Sequence, residues 1–452
     1  MIPIKGPAYD VGFSKVDITP NYPIRLNGYF GRNVESTNAV HPLHAKAIAI
    51  GTDKQGPAVL LSVDNCIVPK QVYDELVSRL SRHGVAREKI AILVSHSHTA
   101  PKLASAADNI FGSDIPSADQ EHIDRYTKEF TDYLEQAALA ALKDRVSARM
   151  AWGQTSVTFG ANRRTKGGPV DHDVPVLVIT DPKGKLRGLL FNYACHCTTL
   201  DGKETRMCGD WAAFAQQDLE ETCPGIIAMT AIGCGADQNP YPRPGLDLAK
   251  QHGKELAEAV LGLLNQKLKP VSGRLECRAT RIALPFEKLP SREDYEKIIA
   301  STTNSAAMYH AKKEIARIDR GEKLPAELPY LVQEWNFGEK LAMIFFPGEV
   351  VVDYSLRLKR EFDPERLWVN AYANYVPCYI PSKRIWTEGG YEGGGAMIYY
   401  DLPTRLSENT EELIINAVYE IIPTTFAHHT SPEPWSTEGQ SVSVPNPAQR
   451  TR

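Results

Sequence analysis

Apolar and polar positions along this chain switch between two periods, and its chemically distinctive residues fall where one period breaks off. Residues 45–50 and 59–63 are apolar, β-branched runs that predict strands, the second ending at Asp64. Residues 70–82 place Val72, Leu76 and Leu80 at helical spacing. Residues 91–95 are apolar or small again and stop abruptly at His96, Ser97 and His98. This strand–helix–strand order predicts parallel pairing. A polar stretch, 105–119, reads as a surface loop near the mouth of a site. A long helix follows over 121–143, its Ala137, Ala138, Ala140 and Ala141 suited to close packing. Strands are predicted over 146–158, 174–179 and 189–193, the last two joined by a turn at 181–184. Next come a helix over 211–221 with Asp210 at its N-cap and a strand over 226–232 that breaks at GCGADQNP. A helix covers 246–268, and a weaker region, with a strand near 275–284 and charged helical sequence, runs to about 334. The remainder reads as strand 341–346, helix to 361, strand 367–371 and helix 411–422. No internal repeat is present. The pattern predicts one large α/β domain, 1–425, with a mixed, mainly parallel sheet and ligand-bearing loops at strand carboxyl ends. Residues 426–452, rich in Ser, Pro and Thr, read as a disordered tail in which His428 and His429 are solvated.

Composition narrows the function classes. The chain of 452 residues is 42% hydrophobic and 23% charged, with a net charge of −4, which is ordinary for a globular protein and excludes a nucleic-acid footprint. No apolar run is long enough to span a bilayer. The opening MIPIKGPAYDVGF lacks the apolar core of a signal peptide, so a soluble chain is expected, exported only if a leader has been removed. The sequence specifies neither compartment nor oligomeric state. Eight scattered cysteines form no disulfide framework. Cys195, Cys197 and Cys208 lack the C-x₂₋₄-C spacing of structural zinc and read as small buried residues. There is no GxSxG elbow and no GK[ST] behind the glycines of 389–395, which argues against an α/β-hydrolase and a phosphate loop. Asp171, His172 and Asp173 form a loop network in which Asp171 is placed to orient Arg163 or Arg164.

Three predicted strands end in groups that could bind zinc: SHSHTAP at His96, NYACHC at His196, and FFPGE at Glu349. Two neutral imidazoles and a carboxylate are the donor set of hydrolytic zinc sites, which keep one position open for water. On an extended chain His96 and His98 point to the same side.

The segments SHSHTAP, NYACHCTTL, GCGADQNP, FFPGEVVVDY and NYVPCYIPSKRIWTEGGYEG, with VDITP, NGY and ANRRTKGGPVDHDVPVL, resemble the neutral/alkaline non-lysosomal ceramidase family in order and style over about residues 11–422. The resemblance implies zinc held by His96, His196, Glu349 and Tyr379, the last chosen over Tyr375 and Tyr391 by its spacing to GGYEG. It implies that His98, Arg163 and Tyr391 surround the substrate's amide and head group. His98 would stabilise an oxyanion or shuttle a proton, and the substrate would be a small-molecule or lipid amide. Two departures qualify the ceramide specificity. Asn239 stands where the family carries a serine; it can donate a hydrogen bond to an oxyanion but cannot be a nucleophile. No immunoglobulin-like segment follows the catalytic unit. The alternatives are a hydrolase of a small ester, lactone or sugar-linked amide, and a non-catalytic zinc-containing binding protein. A long apolar groove at the site would favour lipid; a short polar pocket would favour the smaller substrates.

Overall fold

The apolar runs of the sequence become strands buried on both faces. The structure, a computed structural model, describes residues 1–427. Its strands are β1 (Tyr9–Asp17), β2 (His44–Ile50), β3 (Ala58–Val63), β4 (Ile90–Val94), β5 (Val146–Ser156), β6 (Gly160–Asn162), β7 (Asp173–Thr180), β8 (Leu186–Tyr193), β9 (Ile227–Ile232), β10 (Gln238–Pro240), β11 (Lys269–Pro270), β12 (Leu275–Pro285), β13 (Glu327–Phe337), β14 (Ala342–Phe345), β15 (Glu349–Val350), β16 (Leu367–Asn370) and β17 (Tyr379–Ile380). The helices are α1 (Lys70–Ser81), α2 (Ser117–Lys143), α3 (Asp210–Thr222), α4 (Leu246–Leu263), α5 (Arg292–Ser301), α6 (Ser305–Asp319), α7 (Val352–Glu361), α8 (Lys383–Glu388) and α9 (Thr410–Ile421).

A nine-stranded sheet runs β4-β3-β2-β1-β5-β7-β8-β9, with β11 against β5. Alternate residues of its strands enter two separate cores. Ala47, Ala49, Leu61 and Ile92 join the core on the side where α2 packs against β1, β2 and β3. Ile48, Ile50, Leu60 and Leu93 face the other way, against Trp335, Phe337, Phe345 and Trp368 of a second sheet, β12-β13-β14-β16. Helix α9 covers β12 and β13. The layers are therefore helices, large sheet, small sheet and helix. Burial on both faces explains why these strands read as continuous apolar runs rather than alternating ones.

The expected α/β class and mixed sheet are present, but the sheet is not mainly parallel. Within the large sheet only β3–β4 and β8–β9 pair in parallel; the other pairs are antiparallel. The cause is connection length. Short turns, such as the one at 181–184 between β7 and β8, make hairpins, whereas parallel strands need a crossover, here supplied by α1 and α3. These two parallel units lie at opposite ends of the strand order. The sheet curls enough to bring β4 and β9 into contact, and Ser97 bridges Cys197 in parallel just beyond β4 and β8.

Three further departures are physical in origin. Strand β13 lies in a region read only as charged and helical, because Gln333, Glu334 and Asn336 are buried polar residues that interrupt its apolar run. The segment 105–119 is not simply a surface loop: Ala106, Ala107, Ile110 and Phe111 are buried, and α2 already begins at Ser117. The ordered chain passes residue 425, since Phe426 is buried and Ala427 bridges Phe362; the rest of the expected tail, 428–452, lies outside the described residues. No helix among the described residues is long and apolar enough to cross a membrane.

Glu334 provides a pH test of this core. Burial raises its carboxyl to about 8 from an ordinary 4.5, opposed only in part by the Asn336 amide, which donates at 3.2 Å. Between these values the unfolded chain ionises while the folded one keeps its proton, so stability contributed by this group is present at acid pH and lost as pH rises to about 8. Glu334→Gln should flatten that loss. Urea midpoints of both proteins at acid and alkaline pH give the comparison; equal losses in the two would remove Glu334 from the account.

Candidate metal centre

Three main-chain cages deliver the histidines and the glutamate to one point. After β4 the chain turns sharply at His96, whose φ is +54°. The expected extended run through His96 and His98 is therefore absent, yet the two imidazoles still converge, Nε2 to Nε2 at 3.0 Å. His98 is fixed by its own backbone, its N–H donating to the Cys197 carbonyl at 3.2 Å and its carbonyl accepting from Arg32 at 2.7 Å. His196 follows β8. Its N–H donates to the Gln238 carbonyl at 3.0 Å, and its carbonyl accepts from the Trp211 indole at 2.9 Å. Glu349 opens β15, whose parallel partner β17 sets Tyr379 opposite it.

The donor atoms then face one another. His96 Nε2 and His196 Nε2 lie 3.2 and 3.1 Å from Glu349 Oε2, and all three side chains are buried. Each Nδ1 points away to a carbonyl at 2.8 Å, Cys66 O for His96 and Gly235 O for His196. A carbonyl can only accept, so each Nδ1 carries its proton and each Nε2 presents a lone pair. Two lone pairs and a carboxylate oxygen thus meet in a buried site, an arrangement that could hold a metal ion. Second-partner carbonyls of this kind orient metal-binding imidazoles. The donor set fits a divalent ion of the zinc type.

The electrostatics agree. Burial opposes the charge on Glu349, but His96 and His196 hold its carboxyl well below the usual range. Burial lowers His96 as well, yet the Glu349 charge outweighs it and raises the imidazole to about 10. Burial, reinforced by Arg163, lowers His196 to about 4, and burial with the neighbouring histidines holds His98 well below its ordinary value. A proton on His96 balances Glu349 where a metal cation would otherwise do so.

The other expected residues surround this point. Tyr379 Oη is 3.4 Å from His196 Nε2 and accepts from Arg163 Nη2 at 3.0 Å. Arg163 also reaches His196 Nε2 at 3.3 Å and donates through Nε to Glu392 at 2.8 Å. Tyr391 packs edge-on against Tyr379 with centroids 5.2 Å apart, is exposed, and lines the cavity that opens on the site. Asn239 lies on β10, lines the same cavity, and accepts from Thr198 Oγ1 at 3.2 Å. Tyr375, the weighed alternative to Tyr379, sits elsewhere, its ring 5.6 Å from Tyr73.

Asp171 does not orient either arginine. It accepts from Ser355 at 2.6 Å and from Lys359 at 2.7 Å, both on α7, from the segment that leads into β7. Glu392 takes that place, pairing with Arg163 at 2.8 Å and Arg164 at 2.5 Å. It is the acidic residue of the quoted YEG motif, and its position beside two half-buried guanidiniums is visible only in three dimensions. Tyr400 was also missed: its hydroxyl donates to Glu349 Oε1. A pair of tyrosines after a glycine-rich loop carries no periodic signal. Tyr400 is anchored from behind by Asp401, which pairs with Lys313 and Arg317 of α6 and accepts from Asn109 at 2.8 Å. Asp237 completes the scaffold. Its carboxylate accepts the Val352 N–H at 2.9 Å at the start of α7, and its carbonyl accepts the Arg163 N–H at 2.8 Å. Cys195, Cys197 and Cys208 are buried thiols raised by burial, as small core residues would be.

Gly28 clamps His98. Its φ is +94°, and a Cβ there would fall 2.4 Å from His98 Cγ and 2.6 Å from Nδ1. Gly28→Ala should displace the imidazole and destabilise the fold by about 1–3 kcal/mol, the usual range for forced overpacking. Denaturant unfolding measures this; an unchanged midpoint would show that His98 moves aside without cost.

No family model matches the sequence, and no curated protein matches it. Solved structures do match. The crystal structure of neutral ceramidase from Pseudomonas aeruginosa superimposes with a TM-score of 0.71 at 17% identity, covering 94% of this chain and 76% of that one. A ceramidase complexed with C2 gives 0.71 at 16% identity, covering 94% and 77%. Across nearly its whole described length, the chain has the fold of these ceramidases.

Proposed function

We propose that the protein is a zinc-dependent hydrolase that cleaves the amide bond of an N-acylated substrate. The observation that carries this reading is the buried meeting of His96 Nε2, His196 Nε2 and Glu349 Oε2, with His98 and Arg163 beside it. The ceramidase likeness supplies the fold and makes amide cleavage the first chemistry to test. His96, His196 and Glu349 would hold the ion, with Tyr379 as the fourth protein group. Bound zinc supplies a Lewis acid and an acidified water.

The chain's own residues do the rest. His98, kept neutral by burial, offers Nε2 to the oxygen of the substrate carbonyl as negative charge grows there. Arg163 is held in place by Glu392 and Tyr379 and keeps a fixed positive charge at the cavity wall. Asn239 presents its amide from the opposite strand, and Tyr391 covers the opening. Glu349 is held by Tyr400, so its second oxygen cannot swing toward the substrate.

A second reading concerns the substrate's size. The cavity that opens on the site, about 650 Å³, is lined by Arg163, Arg164, Arg243, Thr198, Asn239 and Glu392 alongside aromatic rings. Such a polar lining favours a substrate with a compact polar part over one that is apolar throughout.

Purified protein should contain about one zinc per chain. His96→Ala and His196→Ala should lose metal and amidase activity together, read by elemental analysis and an amide-cleavage assay. Full zinc in both variants would place the ion elsewhere. Tyr400→Phe should keep the fold but weaken zinc about 10- to 100-fold in a chelator competition, as loss of a partner to a ligating group does; unaltered affinity would make Tyr400 a packing residue only.

A further inference from the structure

The cavity beside the candidate metal centre is lined by a guanidinium that no anion meets among the described residues. Of its three arginines, Arg163 and Arg164 share Glu392, and Arg164 also pairs with Glu388 at 3.1 Å. Arg243 stands apart. Its one hydrogen bond goes from Nη2 to the Tyr29 hydroxyl at 3.3 Å, and it forms no ion pair among the described residues. It is half-buried and lines the same cavity as Thr198 and Asn239. Asn239 Oδ1 is taken by the Thr198 hydroxyl, while its NH₂ donates to nothing among the described residues. This lining therefore presents donors: a planar cationic fork and a carboxamide NH₂. Three guanidiniums against the single Glu392 carboxylate leave the lining positively charged.

A solvent-facing arginine without a partner is unremarkable in itself. Here it lies in the cavity that His98 and Tyr379 also line, beside an amide whose donor side is unused. A carboxylate answers both, since its two oxygens match the guanidinium fork and its charge is not matched by any lining group near Arg243. We propose that the substrate is an N-acylated amino acid, an amide whose amine half bears a carboxylate held by Arg243 and Asn239. The inference rests on the amide-hydrolase reading and adds the class of amine released. In the reaction, water's oxygen bonds to the acyl carbon, the C–N bond breaks, and the nitrogen takes a proton. The products are a carboxylic acid and a free amino acid. A ceramide head group, which is neutral, would leave Arg243 without its counter-charge.

The test uses the full-length zinc-loaded protein with N-acetyl- and N-lauroylglycine and the matching glycinamides, which differ only in charge. The glycine substrates should be cleaved with kcat/KM about 10- to 100-fold above the glycinamides, the range expected for a charge-assisted hydrogen-bonded pair. Arg243→Gln should bring that ratio to about 1, and Arg243→Lys should restore part of it. Equal rates in the wild type, or a preference that survives in Arg243→Gln, would overturn the proposal while leaving the amidase reading intact. If no amide is cleaved, the amidase reading fails instead. Calorimetry with N-acetylglycine and N-acetylglycinamide then decides the anion site: tighter binding of the acid, abolished in Arg243→Gln, supports it, and equal binding rejects it.

Discussion

Three acceptors forced together out of water are the constraint on which the site depends. His96 Nε2 and His196 Nε2 each stand about 3 Å from Glu349 Oε2, and all three side chains are buried. Burial strips them of hydration, and the negative charge on Glu349 must be balanced either by a metal ion or by the proton it draws onto His96. Much of the surrounding structure serves to keep them so. Carbonyls of Cys66 and Gly235 hold the imidazole protons on the far side, Tyr400 holds the other carboxylate oxygen, and Gly28 presses His98 toward the group. The chain stores a demand for positive charge at this point, and backbone geometry rather than side-chain choice maintains it.

That geometry comes from the topology. Most of the large sheet is built of antiparallel neighbours, but His96 and His196 follow strands β4 and β8, each a member of one of its two parallel pairs. The curl of the sheet brings β4 against β9, so residues at opposite ends of the strand order become neighbours. The smaller sheet repeats the device. Strand β14 pairs in parallel with β16 and runs out toward Pro347, Gly348 and Glu349, on the same side as the histidines. A parallel pair sends two carboxyl ends in one direction, and three such ends make a crevice.

These features explain what was legible in the sequence. His96, His196 and Glu349 each end an apolar run, and an abrupt change from buried strand to metal-binding side chain is a local signal. Their convergence is not local, and only the family resemblance suggested it. Tyr379 was reached by spacing to GGYEG, whereas Tyr400 and Glu392 act across the fold on partners that no window of sequence contains. The parallel expectation failed because it extended the one strand–helix–strand unit before His96 to the whole sheet, although short connections such as the turn at 181–184 make antiparallel hairpins. Strand β13 was hidden by Glu334 and its polar neighbours, since a buried carboxyl reads as surface until its surroundings are known. The partner of Asp171 was misassigned for a similar reason: nearness along the chain to two arginines weighed more than its contact with Ser355 and Lys359 of α7, which are distant in sequence.

The site also draws on residues from Gly28 to Tyr400, and this has a consequence for how the molecule comes into being. During synthesis the histidine strands and the large sheet leave the ribosome well before Glu349 and the tyrosine that holds it. Contacts this distant in sequence form late, after the local ones. A nascent chain would hold two oriented imidazoles with no carboxylate beside them, a weaker and less selective trap for a cation than the finished one. The full donor set would be in place only once β15 and Tyr400 have emerged, so that a chain broken off before Glu349 would present the histidines without the carboxylate they face.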